Sequence, residues 1–309
     1  MLSEDIDLIC LGEPMVEFTR VQTDEEENLY IQGLGGDTSN CAIAAARQGA
    51  AVAYITAVGD DRFGRFAIDL WKKEGIDISG VAVFDEFPTG IYFIEPSGNG
   101  RDFTYYRTGS AASRLTSDDL PKTLIKKSKF LHLSAISQAI SGTAAATCAH
   151  AISFAKKNKV RISYDTNLRL NLWDLKRARD VIHETAKQAD ILLPSLDEAR
   201  VLSGKSSIED IVDFYLDFNP QVLALKCGEQ GAVIAFEDKV ETIRPISVDA
   251  VDTSGAGDTF DGAFLSQLSK GYSPLDSGRY AVTAAGLSVE GYGAVTPIPT
   301  KSNVLRKLQ

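Results

Sequence analysis

Apolar residues fall in short runs along the chain, broken by glycines and polar stretches. Ile6 to Leu11 is one such run, closed by Gly12, and predicts a buried strand. Gly33-Leu34-Gly35-Gly36-Asp37 then opens an alanine-rich helix predicted over Thr38 to Gln48 and stopped by Gly49, and Ala51 to Val58 predicts the next strand. The alternation continues with strands at Phe130–Ser134, Val160–Asp165, Ile191–Pro194, Val222–Lys226 and Ala232–Phe236. Helices are expected at Leu175–Gln188, Leu196–Ser203, Ile208–Phe218, Ala256–Lys270 and Pro274–Glu290. Strands alternating with helices predict a parallel sheet covered by helices on both faces.

One interval breaks the alternation. Gly90 to Glu95 and Arg101 to Arg107 are β-like runs joined by Pro-Ser-Gly-Asn-Gly, and Asn99-Gly100 is a turn signal, so a β-hairpin is expected there. An inserted hairpin is a candidate lid over a site. Residues 24–27 (Asp-Glu-Glu-Glu) read as a solvated loop. With no internal repeat, low-complexity segment or linker, residues 1–309 are expected to form a single doubly wound domain carrying a small β lid.

Composition narrows the function classes. The 309 residues include 32 basic and 42 acidic side chains, a net charge of -10, with 44% hydrophobic and 24% charged residues. This is globular composition, and the negative balance disfavours non-specific nucleic-acid binding. Cys10, Cys41, Cys148 and Cys227 show no CxxC spacing, and His132, His150 and His183 lack metal-ligand spacing. The start of the chain lacks the basic and long apolar segments of a signal peptide. Phe130 to Ala155 is free of Lys, Arg, Asp and Glu but too rich in Ser, Thr, Gln and His to span a membrane. A cytoplasmic protein with reduced thiols is therefore expected.

The sharpest segment is Asp252-Thr253-Ser254-Gly255-Ala256-Gly257-Asp258-Thr259-Phe260, which opens a helix whose apolar face is expected to be Phe260, Ala263, Phe264 and Leu268. Small residues let backbone amides approach a ligand, and amides at a helix N-terminus favour an anion. Asp258 in the first turn would lie beside a bound phosphate and could take a proton from an attacking hydroxyl. The bland alternative is tight packing by Gly-Ala-Gly, with Asp258 complementing the helix dipole.

This segment resembles the C-terminal signature of the ribokinase-like (PfkB-type) sugar kinases, D-T-x-G-A-G-D-x-F. Gly35-Gly36-Asp37-Thr38-Ser39-Asn40 matches their G-G-x-x-x-N element, Gly12-Glu13 with Glu17 is similar to their glycine-and-carboxylate pattern after the first strand, and Leu225-Lys226-Cys227-Gly228-Glu229-Gln230-Gly231 matches their L-K-x-G-x-x-G turn. The motifs agree in order over roughly residues 6 to 300. Tyr105-Tyr106-Arg107-Thr108-Gly109-Ser110-Ala111-Ala112-Ser113 and Asp165-Thr166-Asn167-Leu168-Arg169, with Leu172-Trp173, are similar to segments of 2-keto-3-deoxygluconate (KDG) kinases. Guanidinium groups suit a sugar-acid carboxylate, and Tyr105 and Arg107 alternate onto one strand face. Either arginine could instead be an exposed edge residue or a surface ion-pair partner.

The resemblance implies a ribokinase-like α/β fold: a doubly wound, mainly parallel sheet flanked by helices, with a β-sheet lid from about residues 13–34 and 84–112. It implies transfer of a phosphoryl group from ATP to the 6-hydroxyl of KDG, with Asp258 as base and the amides of Gly255, Ala256 and Gly257 as anion hole. Gly35, Gly36, Asn40, Tyr92, Tyr105, Arg107 and Arg169 would hold the sugar. Asn167, Arg169, Ser195, Lys226, Gly228 and Gly231 would lie at the nucleotide, although Lys226 could equally be a solvated strand-end charge. Glu198 would organise Mg²⁺ through water. Ser195 stands where the family often has asparagine, as KDG kinases often do, and it could simply cap the following helix. The stretch near Asp252 resembles a site for K⁺ in some members. Homo-oligomers, as a dimer through the lid or a dimer of dimers, are frequent in the family. Kinases of fructose, ribose or a nucleoside, and a non-catalytic kinase-like sugar sensor, are the alternatives. A dinucleotide-binding enzyme is disfavoured, because no GxGxxG follows the first strand.

Overall fold

A computed structural model describes residues 5–21, 29–97 and 100–309. Its strands are β1 (Ile6–Leu11), β2 (Met15–Val21), β3 (Leu29–Gly35), β4 (Val52–Gly59), β5 (Asp77–Phe84), β6 (Ile91–Ser97), β7 (Gly100–Tyr106), β8 (Ser128–Ser134), β9 (Arg161–Asp165), β10 (Ile191–Leu192), β11 (Val222–Lys226), β12 (Ala232–Phe236) and β13 (Lys239–Ile243). Its helices are α1 (Asp37–Arg47), α2 (Arg62–Lys73), α3 (Lys122–Lys126), α4 (Ala135–Ala139), α5 (Gly142–Lys157), α6 (Leu175–Ala186), α7 (Leu196–Ser203), α8 (Ile208–Leu216), α9 (Ala256–Ser269), α10 (Pro274–Ser288) and α11 (Lys301–Leu308).

Nine strands form the large sheet in the order β13-β12-β11-β10-β9-β8-β1-β4-β5. Pairing is parallel from β5 to β11, while β12 and β13 continue the edge antiparallel. The sheet is thus mixed and mostly parallel, as a chain of βαβ units closed by a hairpin must be. Successive strand residues feed two cores. Ile9 and Leu11 pack with α5, α6, α7 and α8 on one face, and Leu8 and Cys10 with α1, α2, α9 and α10 on the other. No described helix is long and apolar enough to cross a membrane.

A second sheet, β3-β2-β6-β7, stands apart from the first. β2 pairs antiparallel with β3 and parallel with β6, and β6 and β7 form the expected hairpin. The Asn99 turn position and the charge run at 24–27 lie outside the described residues. Besides β2 and β3, the sequence pattern did not predict α2, β5, α3, α4, α5, β13 or α11.

Helix α9 departs from the one-faced amphipathic reading. Phe260, Ala263 and Phe264 are buried and Leu268 partly so, but Asp261, Gly262, Ser266 and Gln267 are buried too. The helix runs between α1 and α10, so both of its flanks are covered. Gly262 permits this: a Cβ there would lie 2.3 Å from the Cys41 carbonyl oxygen and 2.7 Å from the Ala44 Cβ. The close approach brings the N-terminal turns of α1 and α9 to the same end of the sheet.

Candidate active site

Ligands of an open α/β sheet bind in the crevice outside the carboxyl ends of its parallel strands. Three of the chain's unusual polar segments gather there: Asp37–Asn40 at the start of α1, Asp165–Asn167 after β9, and Gly255–Asp258 at the start of α9. Asn40 Nδ2 donates to Asp258 Oδ2 at 2.8 Å. Asn167 Nδ2 donates to Asp37 Oδ2 at 3.1 Å, and Ser134 at the end of β8 donates to the same carboxylate.

The electrostatics of Asp258 follow from this crowding. Burial and then the neighbouring Asp37 charge push its pKa up to about 7, opposed by the Asn40 hydrogen bond. Burial likewise raises Asp37 above the ordinary carboxylate range. A carboxyl poised near neutral pH at a helix N-terminus can accept a proton and release it again under the same conditions.

Gly255 is the N-cap of α9, in left-handed backbone at φ 71°, and Ala294 occupies the space a side chain would need. The anion-hole expectation needs one revision. The Ala256 amide is already turned toward the Thr253 carbonyl at 3.2 Å, which makes it the most committed of the three. Asp252, expected beside a cation, accepts from the Ser254 amide and hydroxyl and from the Gly293 amide, and so ties the loop before α9 to residue 293.

Lys226 is 8% exposed and is not at the groove surface as a solvated strand-end charge would be. Its ammonium lies 3.0 Å from both oxygens of Asp261 and 3.1 Å from Asp165, beneath Gly257. Those contacts use its three N–H groups, so the expected direct contact with a nucleotide is not available in this arrangement. Burial alone would raise Asp165, but Lys226 holds it below the usual range. Asp261 is raised by burial despite the same lysine. Neighbouring Ser195 stands at the N-cap of α7, yet its side chain makes no capping hydrogen bond. Gly228 and Gly231 shape the turn after β11, and a Cβ at Gly231 would sit 2.0 Å from the Ile243 carbonyl oxygen.

The two arginines are both ion-paired. Arg107 binds Glu13, which is 1% exposed and also accepts from Ser110 at 2.7 Å. Burial raises Glu13 even so. Arg169 is exposed and binds Glu198 at 2.9 Å. Both guanidinium charges act on the Tyr105 phenol, whose pKa burial nevertheless raises, so the arginines face one region. Two donors or acceptors are buried and unpartnered there: Arg107 Nε and Glu198 Oε2.

The small sheet supplies the facing wall. Tyr92 donates to Glu17 and stacks on Tyr105 with ring centroids 5.6 Å apart. Burial, Glu17 and more distantly Asp258 raise the Tyr92 phenol, which sets this ring on the Asp258 side. A Cβ at Gly35 would meet the Tyr92 hydroxyl at 2.3 Å, and Gly36, at φ 105°, would meet the Glu13 carbonyl oxygen at 2.4 Å. Both glycines are required by close approach.

Glu13, Asp37, Asp165 and Asp261 were not singled out from the sequence as site residues. Asp261 follows Asp258 by one helical turn, a spacing that could have flagged it. No cluster of three or more His, Cys, Asp or Glu suited to a metal occurs among the described residues.

Comparisons with known proteins give the chain's family and fold. The chain is 32% identical over 311 residues to 2-dehydro-3-deoxygluconokinase of Thermoproteus tenax, covering 98% of this chain and 94% of that one. It is 31% identical over 316 residues to fructokinase-1 of Zea mays, covering 98% and 97%. An Escherichia coli ribokinase-II-type protein solved in complex with ATP and Mg²⁺ superposes with a TM-score of 0.90 at 25% identity, covering 98% of this chain and 99% of that one. The family model for pfkB carbohydrate kinases matches residues 5–301, and with the ribokinase-like sheet, the second sheet and the Gly255–Asp258 turn in place, the chain belongs to the pfkB family of carbohydrate kinases.

Proposed function

We propose that this carbohydrate kinase transfers the γ-phosphoryl group of ATP to the terminal 6-hydroxyl of KDG. The observation that carries the reading is Asp258: a carboxyl at the first turn of α9, hydrogen-bonded by Asn40 and poised at about 7. In its charged form it takes the proton of the 6-hydroxyl as the oxygen attacks phosphorus, and Asn40 holds the carboxylate oriented. The Gly257 amide and the positive end of α9 face the transferring group and stabilise its charge.

The ATP–Mg²⁺ complex of the E. coli relative supports both groups as participants here. Glu198 is the fitting anchor for Mg²⁺: its Oε2 is buried without a hydrogen-bond partner, as a carboxylate oxygen that binds a metal-held water would be. Bound Mg²⁺ supplies positive charge against the β and γ phosphates. Asn167, Ser195, Gly228 and Gly231 border the nucleotide, with Lys226 supporting them from below.

Sugar-acid selectivity rests on Arg107. Its Nε is a buried donor with no partner, and a ligand carboxylate is the chemistry that satisfies it. Arg169, Tyr92, Tyr105 and Gly35–Gly36 complete the pocket wall, and the small sheet acts as its lid. A neutral-sugar kinase is the second reading. It is favoured by the neutralisation of both arginines by Glu13 and Glu198, and by the equal similarity to a fructokinase. Exposed Ile31, Phe103 and Tyr106 on the small sheet support a dimer through the lid.

The test is ADP release with Mg-ATP across KDG, its C4 epimer, fructose, ribose and adenosine. Preference for the keto-deoxy acids upholds the reading, and preference for fructose or ribose replaces it with the second. Binding of KDG without turnover would indicate a sensor.

A further inference from the structure

An open cleft of about 320 Å³ lies between α6, α7 and α8, and none of its lining residues belongs to the candidate active site. Its floor on α6 is cationic. Arg179, His183 and Lys187 follow one another at four-residue intervals, so their side chains share one helix face. Like charges at that spacing destabilise a helix. Burial, then Arg179 and Lys187, hold His183 toward its neutral form.

The opposite wall is aromatic. The His183 ring lies 5.3 Å from Phe214 and 5.5 Å from Phe218, and the Lys187 ammonium 6.0 Å from the Phe218 ring. The third side is the end of α7, where Arg179 donates to the Val201 carbonyl beside Leu202. Two polar atoms are left over: Arg179 Nε and His183 Nε2 are buried and have no hydrogen-bond partner. Glu184 pairs with Lys187 and so neutralises that end of the floor, and Asp180, paired with Lys176, also acts on His183, which leaves Arg179 carrying the charge of the cleft. Buried orphan donors cost free energy unless a ligand or water satisfies them.

We propose that this cleft binds a small organic anion with a flat apolar body, its anionic group on Arg179 and His183 and its body against the outer side of the Phe214 and Phe218 rings, which meet edge to face at 5.2 Å. Neither a bare ion nor a neutral aromatic satisfies both halves of the cleft. Helix α7 joins it to the active site, since Glu198 stands one turn from Leu202 on the same helix.

Phenyl phosphate is the probe, titrated into the full-length chain while the imidazole proton resonances are followed by NMR. The His183 signal is identified by its loss in His183→Asn. A saturable shift of that signal is expected, with Kd at least about tenfold weaker in Arg179→Met. Phe218→Leu keeps every charge and should also weaken binding, and native near-ultraviolet circular dichroism would confirm that both variants fold. Benzyl alcohol and inorganic phosphate should shift the signal far less. An unmoved His183 resonance at millimolar phenyl phosphate overturns the proposal, as does equal binding of either control compound. The readout does not involve turnover, so it stands or fails independently of the substrate.

Discussion

Asn40 and Asp258, 218 positions apart in the chain, share a hydrogen bond of 2.8 Å across the α1–α9 contact. The pairing depends on Gly262, whose missing side chain lets the two helices touch. It orients a carboxylate whose surroundings otherwise favour the neutral acid. Asp258→Asn should lower kcat by about 10²–10⁴-fold, the usual range for a positioned general base, while sugar affinity by calorimetry changes little. Near wild-type turnover in a coupled ADP assay would remove Asp258 from the chemistry.

The pH dependence of turnover carries a sign. Asp258 works deprotonated, so kcat/KM should rise with pH through about 7 and level off above it. Asn40→Ala removes a hydrogen bond that favours the charged form and should move this limb to higher pH. Asp37→Asn removes a like charge and should move it lower. The same shift in both variants would mean that another group controls the limb.

Gly262→Ala tests the helix contact itself. The added methyl has no room against the Cys41 carbonyl, and overpacking of this kind costs about 1–3 kcal/mol. Unfolding by denaturant should report that loss. If the helices separate to relieve the clash, kcat should fall as well, because Asn40 and Asp258 ride on them. A fully stable variant would show that the helices can slide without penalty.

Lys226 offers a contrast between two roles. It bridges two buried carboxyl groups and compensates the charge of Asp165, and removing one partner from a buried ion cluster typically costs about 3–5 kcal/mol. Lys226→Met should therefore unfold at lower denaturant. A rise in KM for ATP with unchanged stability would instead restore the direct nucleotide contact inferred from its motif.

Much of this was readable from the chain, and the failures share physical causes. The large-sheet strands other than β5 and β13, and α9, were legible because apolar runs and the Gly255–Asp258 turn have strong local signals. Helix α5 was not, although its buried Ala144, Thr147, Cys148, Ala151, Ile152 and Ala155 follow a helical period. The residues are small, so burial and exposure look alike in composition. β3 was hidden by Gly33 and Gly35, which read as loop, although Gly35 is there to make room for Tyr92. Motifs marked Lys226, Arg107 and Arg169, yet their ionic partners Asp261, Glu13 and Glu198 come from segments distant in the chain, and the pairing itself has no local signature.

Arg107 poses the sharpest separation of stability from specificity. Arg107→Met strands Glu13, a carboxylate 1% exposed, so the single variant should lose stability and affinity together and prove nothing about the sugar. Adding Glu13→Gln removes the stranded charge while keeping an acceptor for Ser110. The double variant should recover most of the stability. If Arg107 grips a carboxylate, KM for the keto-deoxy acid should stay raised by at least about tenfold, the loss expected of one charge-assisted hydrogen bond, with KM for ATP unchanged. If both constants return to wild-type values, Arg107 serves only to neutralise Glu13, and the neutral-sugar reading gains the weight that the sugar acid loses.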